Sequence, residues 1–395
     1  MEQLRNDPSH RAGRYLRQPT NYLAFIPAGL PPDPKLSLTG KLQVALSEAD
    51  LALGRLDGSI QTLPNPDLFV FMYVRKEAVY SSQIEGTQSS LVDLLAAEAK
   101  LFDPDALPQD VDEVINYVRA MKYGLERLDE LPVSIRLICE IHEILLEGVR
   151  GGQWTPGELR RSQNWIGPGG CTLREAVFVP PPPDVVPDVL SELERFIHQS
   201  DDLPVLIKVG LVHAQFETIH PFLDGNGRIG RLLTTFLLTE RGLLHKPVLY
   251  LSHYFKRHRE AYYEHLQAVR DEGDWEDWLL FFLSGITEVS AEATESARRI
   301  LTLREEHRAA ITASLGRAAG NGHKVLETLF DRPFVSVTEV QSLIGTTYPA
   351  ANSLVSRLVE LGILREVTGQ ARNRQFRYDP YVQLFTDEDD SDVRP

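Results

Sequence analysis

The run His220-Pro221-Phe222-Leu223-Asp224-Gly225-Asn226-Gly227-Arg228-Ile229-Gly230-Arg231 gathers the residue types needed to handle a phosphate group. Gly225 and Gly227 allow positive φ, so successive backbone N–H groups can point into one concavity. A helix starting near Asn226 adds the positive potential of its N-terminal amides. Arg228 and Arg231 are three apart, neighbours on that first turn, and can fork onto phosphate oxygens. Asp224 is a hard oxygen ligand suited to holding Mg²⁺ against phosphates. His220 can accept a proton near neutral pH. Each feature alone has a plainer reading: a turn, a helix-end histidine, a solvated pair of arginines. Their coincidence in one short stretch makes a phosphate cradle with a metal ligand and a general base.

Two apolar helices must position this loop. Upstream, Val205, Val209, Val212, Phe216 and Ile219 recur at three- and four-residue steps, the period of one buried helix face. Downstream, Ile229, Leu232, Leu233, Phe236 and Leu237 repeat the pattern, and Gly242 and Pro247 supply stop signals. Further helices are predicted over residues 36–56, along the Val114, Val118, Met121, Leu125 and Leu128 stripe, and after Ser134 as a cap through Leu145. Ser81 and Glu85 share a helix face at i, i+4, and Gly86 should end that helix.

The segment at 220–231 resembles the Fic motif, HPFx(D/E)GNGRxxR, and matches it at every specified position. The resemblance extends over roughly residues 15–300. It implies a protein adenylyltransferase that moves AMP from ATP, with Mg²⁺, to a hydroxyl side chain (Tyr, Thr or Ser) of a protein, itself included. His220 would be the base and Asp224 the metal ligand. Gly225, Asn226, Gly227, Arg228, Ile229, Gly230 and Arg231 would line the nucleotide phosphates. Gly227 stands where a kinase-like relative has lysine, which supports attack at the α-phosphate. Ser81, Glu85 and Gly86 resemble the inhibitory motif (S/T)xxxE(G/N). Glu85 would then pair with Arg231, deny it to the γ-phosphate and force a bound nucleotide into an unproductive pose. The family places a tyrosine pair near the adenine, which implicates Tyr262 and Tyr263. Arg270 stands where some relatives carry an asparagine, a departure from the pattern.

Residues 151–170 read as loop and short strand, and 171–179 as a strand or hairpin arm closed by Pro180 to Pro183. The resemblance makes this the flap, along which a target protein docks near 170–180. A structural hairpin with a polyproline exit is the competing reading. Tyr22, Leu23, Phe25 and Ile26 form an apolar arm within residues 1–35. Aromatic residues after the motif fit a core, and His253, His258 and His265 lack metal-site spacing.

Residues 301–322 read as a charged linker helix, followed by three short helices and two strands over 323–380. This resembles a winged helix-turn-helix. Arg365, Arg372, Arg374 and Arg377 against Glu366 leave the wing at +3, so DNA is a candidate partner, although the third helix carries only Arg357. Residues 387–395 are acidic.

With 41 basic and 56 acidic residues, the 395-residue chain carries −15, which excludes a general nucleic-acid or acidic-membrane binder. Cys139 and Cys171 are the only cysteines and make neither a disulfide framework nor a zinc site. The first residues lack an apolar signal core, and no long apolar run appears, so a cytoplasmic location without membrane contact is expected. The fold expected is mainly α: a Fic-type helical core with a small β-hairpin flap and a C-terminal winged helix-turn-helix. The domains expected are 1–110 (arm and inhibitory helix), 111–300 (catalytic core), 301–322 (linker), 323–380 (winged helix) and 381–395 (tail). A homodimer is a further partner the sequence allows. Two other functions use the same residues: removal of AMP from a modified protein by a water that Glu85 orients, and a nucleotide-responsive DNA-binding regulator.

Overall fold

The computed structural model describes residues 11–61, 63, 66–99, 110–370 and 373–386. Residues 1–10, Arg372 and the acidic stretch 387–395 lie outside them. An antiparallel hairpin comes first, β1 (Gly13–Arg17) and β2 (Leu23–Pro27), with Tyr15 opposite Phe25. Asn21 supplies its left-handed turn at φ 66°. The apolar arm read from Tyr22 to Ile26 is the second strand of this hairpin, anchored by buried Phe25.

Eleven helices follow among the described residues: α1 (Lys41–Gln61), α2 (Asp67–Ile84), α3 (Leu91–Glu98), α4 (Val111–Arg127), α5 (Ile135–Leu145), α6 (Val186–His198), α7 (Val205–Ile219), α8 (Asn226–Glu240), α9 (Leu251–Arg257), α10 (Arg259–Glu272) and α11 (Trp275–Leu315). Helix α1 begins later than expected because Gly40 takes φ 56° and the Ser37 N–H is engaged by Glu276. Helix α2 stops at Ile84, Gly86 takes φ 100°, and α3 restarts on a Ser90–Asp93 capping box. Ser134 caps α5 by accepting the Leu137 N–H. The centre is α7: every residue from Leu206 to Ile219 is buried. A helix buried on every side lies inside a core, where each large apolar side chain contributes about 1.5–3 kcal/mol, while Lys208, His213, Gln215, Glu217 and Thr218 are its buried polar members.

Two expectations change. Residues 171–179 form no hairpin; a single antiparallel bridge joins Ile166 to Phe178. Gly167, Pro168, Gly169 and Gly170 interrupt strand pairing, and Glu175 folds the next turn by accepting from the Thr172 N–H and hydroxyl. A boundary at residue 300 falls inside α11, which runs unbroken for 41 residues. Its buried stripe of Trp278, Phe282, Ile286, Val289, Ala293, Ala297 and Ile300 meets no Gly or Pro after Gly285.

The C-terminal unit comprises α12 (Ala319–Asp331), β3 (Phe334–Ser336), α13 (Val337–Ile344), α14 (Tyr348–Glu360), β4 (Arg365–Glu366), β5 (Gln375–Arg377) and α15 (Asp379–Val382), with sheet order β3-β5-β4. Its Phe385 sits edge-on to Tyr73 of α2 at 5.6 Å between ring centres. Among the described residues no helix is long and apolar enough to cross a membrane.

Candidate active site

The loop between α7 and α8 turns on two left-handed residues. His220 caps α7 at φ 49°, ψ 60°, and Gly225 precedes α8 at φ 77°. A non-glycine residue in that region costs about 1–2 kcal/mol, which the surroundings must offset. Asn226 closes the loop: its Oδ1 accepts the Phe222 N–H and its Nδ2 donates to the Phe222 carbonyl, both at 2.8 Å. The first intrahelical bond of α8 is Ile229 N–H to Gly225 O, so the amides of Asn226, Gly227 and Arg228 are the helix's free N-terminal donors.

Side chains from elsewhere hold the loop's carbonyls. Arg160 Nε donates to His220 O at 2.9 Å, and the Arg160 N–H to Pro221 O at 2.9 Å. Asn164 Nδ2 donates to Phe222 O at 2.7 Å and His220 O at 3.3 Å. His142 stacks on Phe222 with 3.7 Å between ring centres. The Gly157 N–H donates to its Nδ1 at 2.8 Å, so the proton is on Nε2, which donates to Asp224 O at 3.0 Å. With the carbonyls drawn to one side, the amides are left for the other.

Both motif arginines are buried and both meet carboxylates. Arg231 Nε donates to Ser81 Oγ at 2.8 Å, while its Nη2 donates to Ser81 O at 2.9 Å and to Glu85 Oε1 at 2.6 Å. Glu85 lies against Gly227, where any Cβ would collide with its Oε1. Arg228 Nη1 donates to Glu113 Oε2 at 3.0 Å and its Nη2 stands 3.7 Å from Asp224 Oδ1. Arg150 Nε approaches the other Glu113 oxygen at 3.4 Å.

Burial pushes the His220 imidazole down to about 3, with Arg270 and Arg160 adding to the effect, so the ring is neutral at physiological pH. Its Nδ1 lies 3.4 Å from the Glu217 carbonyl, an acceptor for an Nδ1–H that leaves Nε2 with a lone pair. Burial alone would raise the Glu85 carboxyl, but the Arg231 charge and hydrogen bond bring it below the usual range. Burial pushes Glu217 up to about 7, against Arg231 and with Glu85. It packs under Gly230, the position that spares it a side chain.

Asp224 Oδ1 accepts the Gly225 N–H at 2.7 Å, and its Oδ2 faces Gly151, which has no side chain to cover it. Among the described residues no group of three or more His, Cys, Asp or Glu could hold a metal unaided. A lone carboxylate suits Mg²⁺, which keeps waters and takes its other ligands from phosphates.

Other expected site residues lie elsewhere in the packing. Ile229 is in the core and Gly230 at the α7–α8 contact. Tyr262 is buried, its hydroxyl 2.9 Å from His213 Nε2 and its ring stacked on Phe255, whereas Tyr263 is 40% exposed. Arg270 lies over the Phe178 ring at 3.9 Å and donates to Thr218 Oγ1, so it pins the flap rather than facing a base. The wing arginines are engaged within their own unit. Arg365 and Arg377 pair with Asp379 and Arg374 with Asn352 and Glu366, whereas Arg357 of α14 reaches outside the unit to Ser314 O of α11. Asp379 is the one carboxylate these contacts add, since Glu366 is already counted and Asn352 is neutral, so the +3 falls to +2. Arg372 lies outside the described residues.

Glu113, His142 and Glu217 were not singled out from the sequence. Their signal was a polar residue on an apolar stripe: His142 between Ile138 and Leu145, Glu113 in line with Tyr117 and Ala120.

The chain is similar to known proteins over its central part. The Fic/DOC family N-terminal model matches residues 43–126 and the Fic/DOC family model matches 132–238. A probable protein adenylyltransferase of Aquifex aeolicus is 33% identical over 199 residues, 49% of this chain and 56% of that protein. The protein adenylyltransferase Fic of Drosophila grimshawi is 29% identical over 201 residues, 49% of this chain and 36% of that one. The match thus spans about half the length, or less, of these curated relatives. A solved Fic family protein from Desulfovibrio desulfuricans superposes with a TM-score of 0.56 at 20% identity, covering 87% of this chain and 97% of that one. That likeness concerns the fold.

Proposed function

We propose that the chain, whose residues 43–126 and 132–238 match models of the Fic/DOC family, is a protein adenylyltransferase of that family held in check by its own helix α2. The observation that carries this reading is the contact of Glu85 with Arg231, made across Gly227 at the start of α8. A phosphate bound to the α8 amides would have to share that space with a carboxylate. Like charges in a partly desolvated site repel by several kcal/mol, so a nucleotide enters productively only once Glu85 leaves.

With Glu85 displaced, Arg231 keeps its bonds to Ser81 but loses its carboxylate partner, and stands available to an anion beside the free amides of Asn226, Gly227 and Arg228. A nucleoside triphosphate seated there presents its α-phosphate to His220. The incoming hydroxyl of a protein Tyr, Thr or Ser gives its proton to His220 Nε2 and its oxygen bonds the α-phosphorus. The bond to the bridging oxygen of the β-phosphate breaks, and pyrophosphate departs. Asp224 would hold Mg²⁺, which supplies charge neutralisation for the phosphates. The residues' part is alignment and charge stabilisation, the main components of phosphoryl-transfer catalysis. His220, neutral at physiological pH, is always ready to accept; its low basicity makes the proton move late, as the oxygen–phosphorus bond forms.

The test incubates wild type, Glu85→Gly and Glu85→Gly/His220→Ala with Mg²⁺ and ATP labelled on the α-phosphate. Protein-bound label should be weak in wild type, at least tenfold stronger in Glu85→Gly, and absent from the double variant. No label in any of the three, with cell lysate supplied as target, overturns AMP transfer.

A further inference from the structure

His220 is left-handed, non-glycine and at a helix end, so its imidazole points where it does only while its peptide group is restrained. The restraint comes from a loop that no part of the motif supplies. Arg160 is 2% exposed and donates through three of its nitrogens. Its Nε meets His220 O at 2.9 Å, its Nη2 meets Pro181 O at 2.5 Å and Ile219 O at 3.4 Å, and its Nη1 meets Ser162 O at 3.4 Å. Its own N–H holds Pro221 O at 2.9 Å. Asn164, four residues on, adds a second donor to His220 O and one to Phe222 O. One guanidinium therefore joins the last carbonyl of α7, the carbonyl of the base itself and the exit of the flap.

We propose that Arg160, with Asn164, is the positioning residue of this site: it fixes the orientation of His220 and ties that orientation to the flap segment ending at Pro181. The proposal rests on the transfer reading for its chemistry, since only a base needs so exact an aim. Its geometry stands independently. The planar fork is essential, because a lysine ammonium is a point charge that cannot reach His220 O and Pro181 O in the same arrangement. The other charged groups facing His220 are Arg270 from α10 and Glu85 at the end of α2, while Glu217 meets the ring through its backbone carbonyl; none of them is hydrogen-bonded to the His220 carbonyl. Arg160's hydrogen bonds go to the carbonyls of Ile219, His220, Pro221, Ser162 and Pro181, with none of these partners in α8, so its loss should leave nucleotide binding in place.

The experiment uses the full chain carrying Glu85→Gly, alone or with Arg160→Lys or Asn164→Ala, each checked for a cooperative thermal transition. With α-labelled ATP, both substitutions should lower kcat about tenfold or more while KM for ATP stays within about twofold, the pattern of a misaligned base. Independently of any activity, histidine ring-carbon NMR at neutral pH should show the His220 signal, assigned by its loss in His220→Ala, displaced in both variants. The buried His213 signal should stay in place. An unmoved His220 signal in both folded variants, or a rise in KM with kcat unchanged, overturns the proposal. If no form transfers label, the transfer reading fails, and the ring signal still decides whether Arg160 and Asn164 position His220.

Discussion

Arg228 and Arg231 lie three residues apart on one helix, both buried, each facing a carboxylate from the N-terminal third of the chain. Their partners differ in kind. Glu85 follows the last turn of α2, its side chain 31% exposed, with Gly86 at φ 100° behind it. Glu113 is in the first turn of α4, its side chain 4% exposed, between Arg228 and Arg150. One carboxylate can leave by a small rotation of a helix end; the other can leave only if α4 does. Under the proposed brake, two arginines three residues apart on one helix would be one switch contact and one fixed contact. The difference is made entirely by what the rest of the chain brings to them.

The largest expected effect breaks the fixed contact. Glu113→Ala leaves Arg228, 1% exposed, as a buried charge whose nearest remaining carboxylate is Asp224 at 3.7 Å. Removing one partner of a buried pair costs about 3–5 kcal/mol. Chemical denaturation should show that loss with an unchanged slope. Glu85→Ala should cost about 1 kcal/mol or less, because Arg231 keeps both bonds to Ser81 and gains solvent. Equal losses for the two would end the distinction between a switch and a fixture.

Much of the site was legible because it is contiguous: base, metal ligand, glycines and arginines follow one another, and the helices flanking them announce themselves by period. Glu85 was legible only through the family resemblance, since a Ser-to-Glu pair on a helix is ordinary surface. Glu113, His142 and Glu217 could not be assigned partners in advance, because a buried polar residue on an apolar stripe declares that it has a partner but not which one. Arg160 and Asn164 lie within the loop and short strand read over 151–170, where nothing in the sequence pattern gave them a role. The flap differed for a physical reason: the apolar run Ala176 to Val179 closed by Pro180 to Pro183 suggested a strand or hairpin arm, while pairing is confined to the single bridge from Ile166 to Phe178. In the wing, counting charge showed its sign but not its partners: Arg365 and Arg377 share Asp379, and Arg374 meets Glu366.

A third carboxylate sharpens the comparison. Glu217 lies under α8 at Gly230, and its folded-state pKa is raised from 4.5 to about 7. The native state therefore holds this proton more tightly than the unfolded chain. The resulting stability is complete below about pH 4.5 and is lost as pH rises through about 7. Glu217→Gln removes the titration and keeps the shape. Its stability relative to wild type should be about 2 kcal/mol greater at pH 8 than at pH 5. Because Glu85 is among the charges raising Glu217, Glu85→Gly should shrink that pH dependence, whereas Arg150→Ala should leave it alone. Identical pH profiles for wild type and Glu217→Gln would refute the assignment.

The smallest effect concerns the outer end of the fixed contact. Arg150 approaches Glu113 at 3.4 Å, but its side chain is 60% exposed, so water and salt screen the pair. Arg150→Ala should cost about 0.5 kcal/mol or less in dilute buffer and nothing measurable in about 1 M salt. The informative quantity is its coupling to Glu113. If Glu113 is held chiefly by Arg228, a double-mutant cycle of Arg150→Ala with Glu113→Gln gives a coupling within about 0.5 kcal/mol of zero. A coupling of about 2 kcal/mol would mean that the exposed arginine shares in fixing the buried one. Glu113 would then be open to control from the surface as Glu85 is, and the contrast between the two arginines would become one of degree.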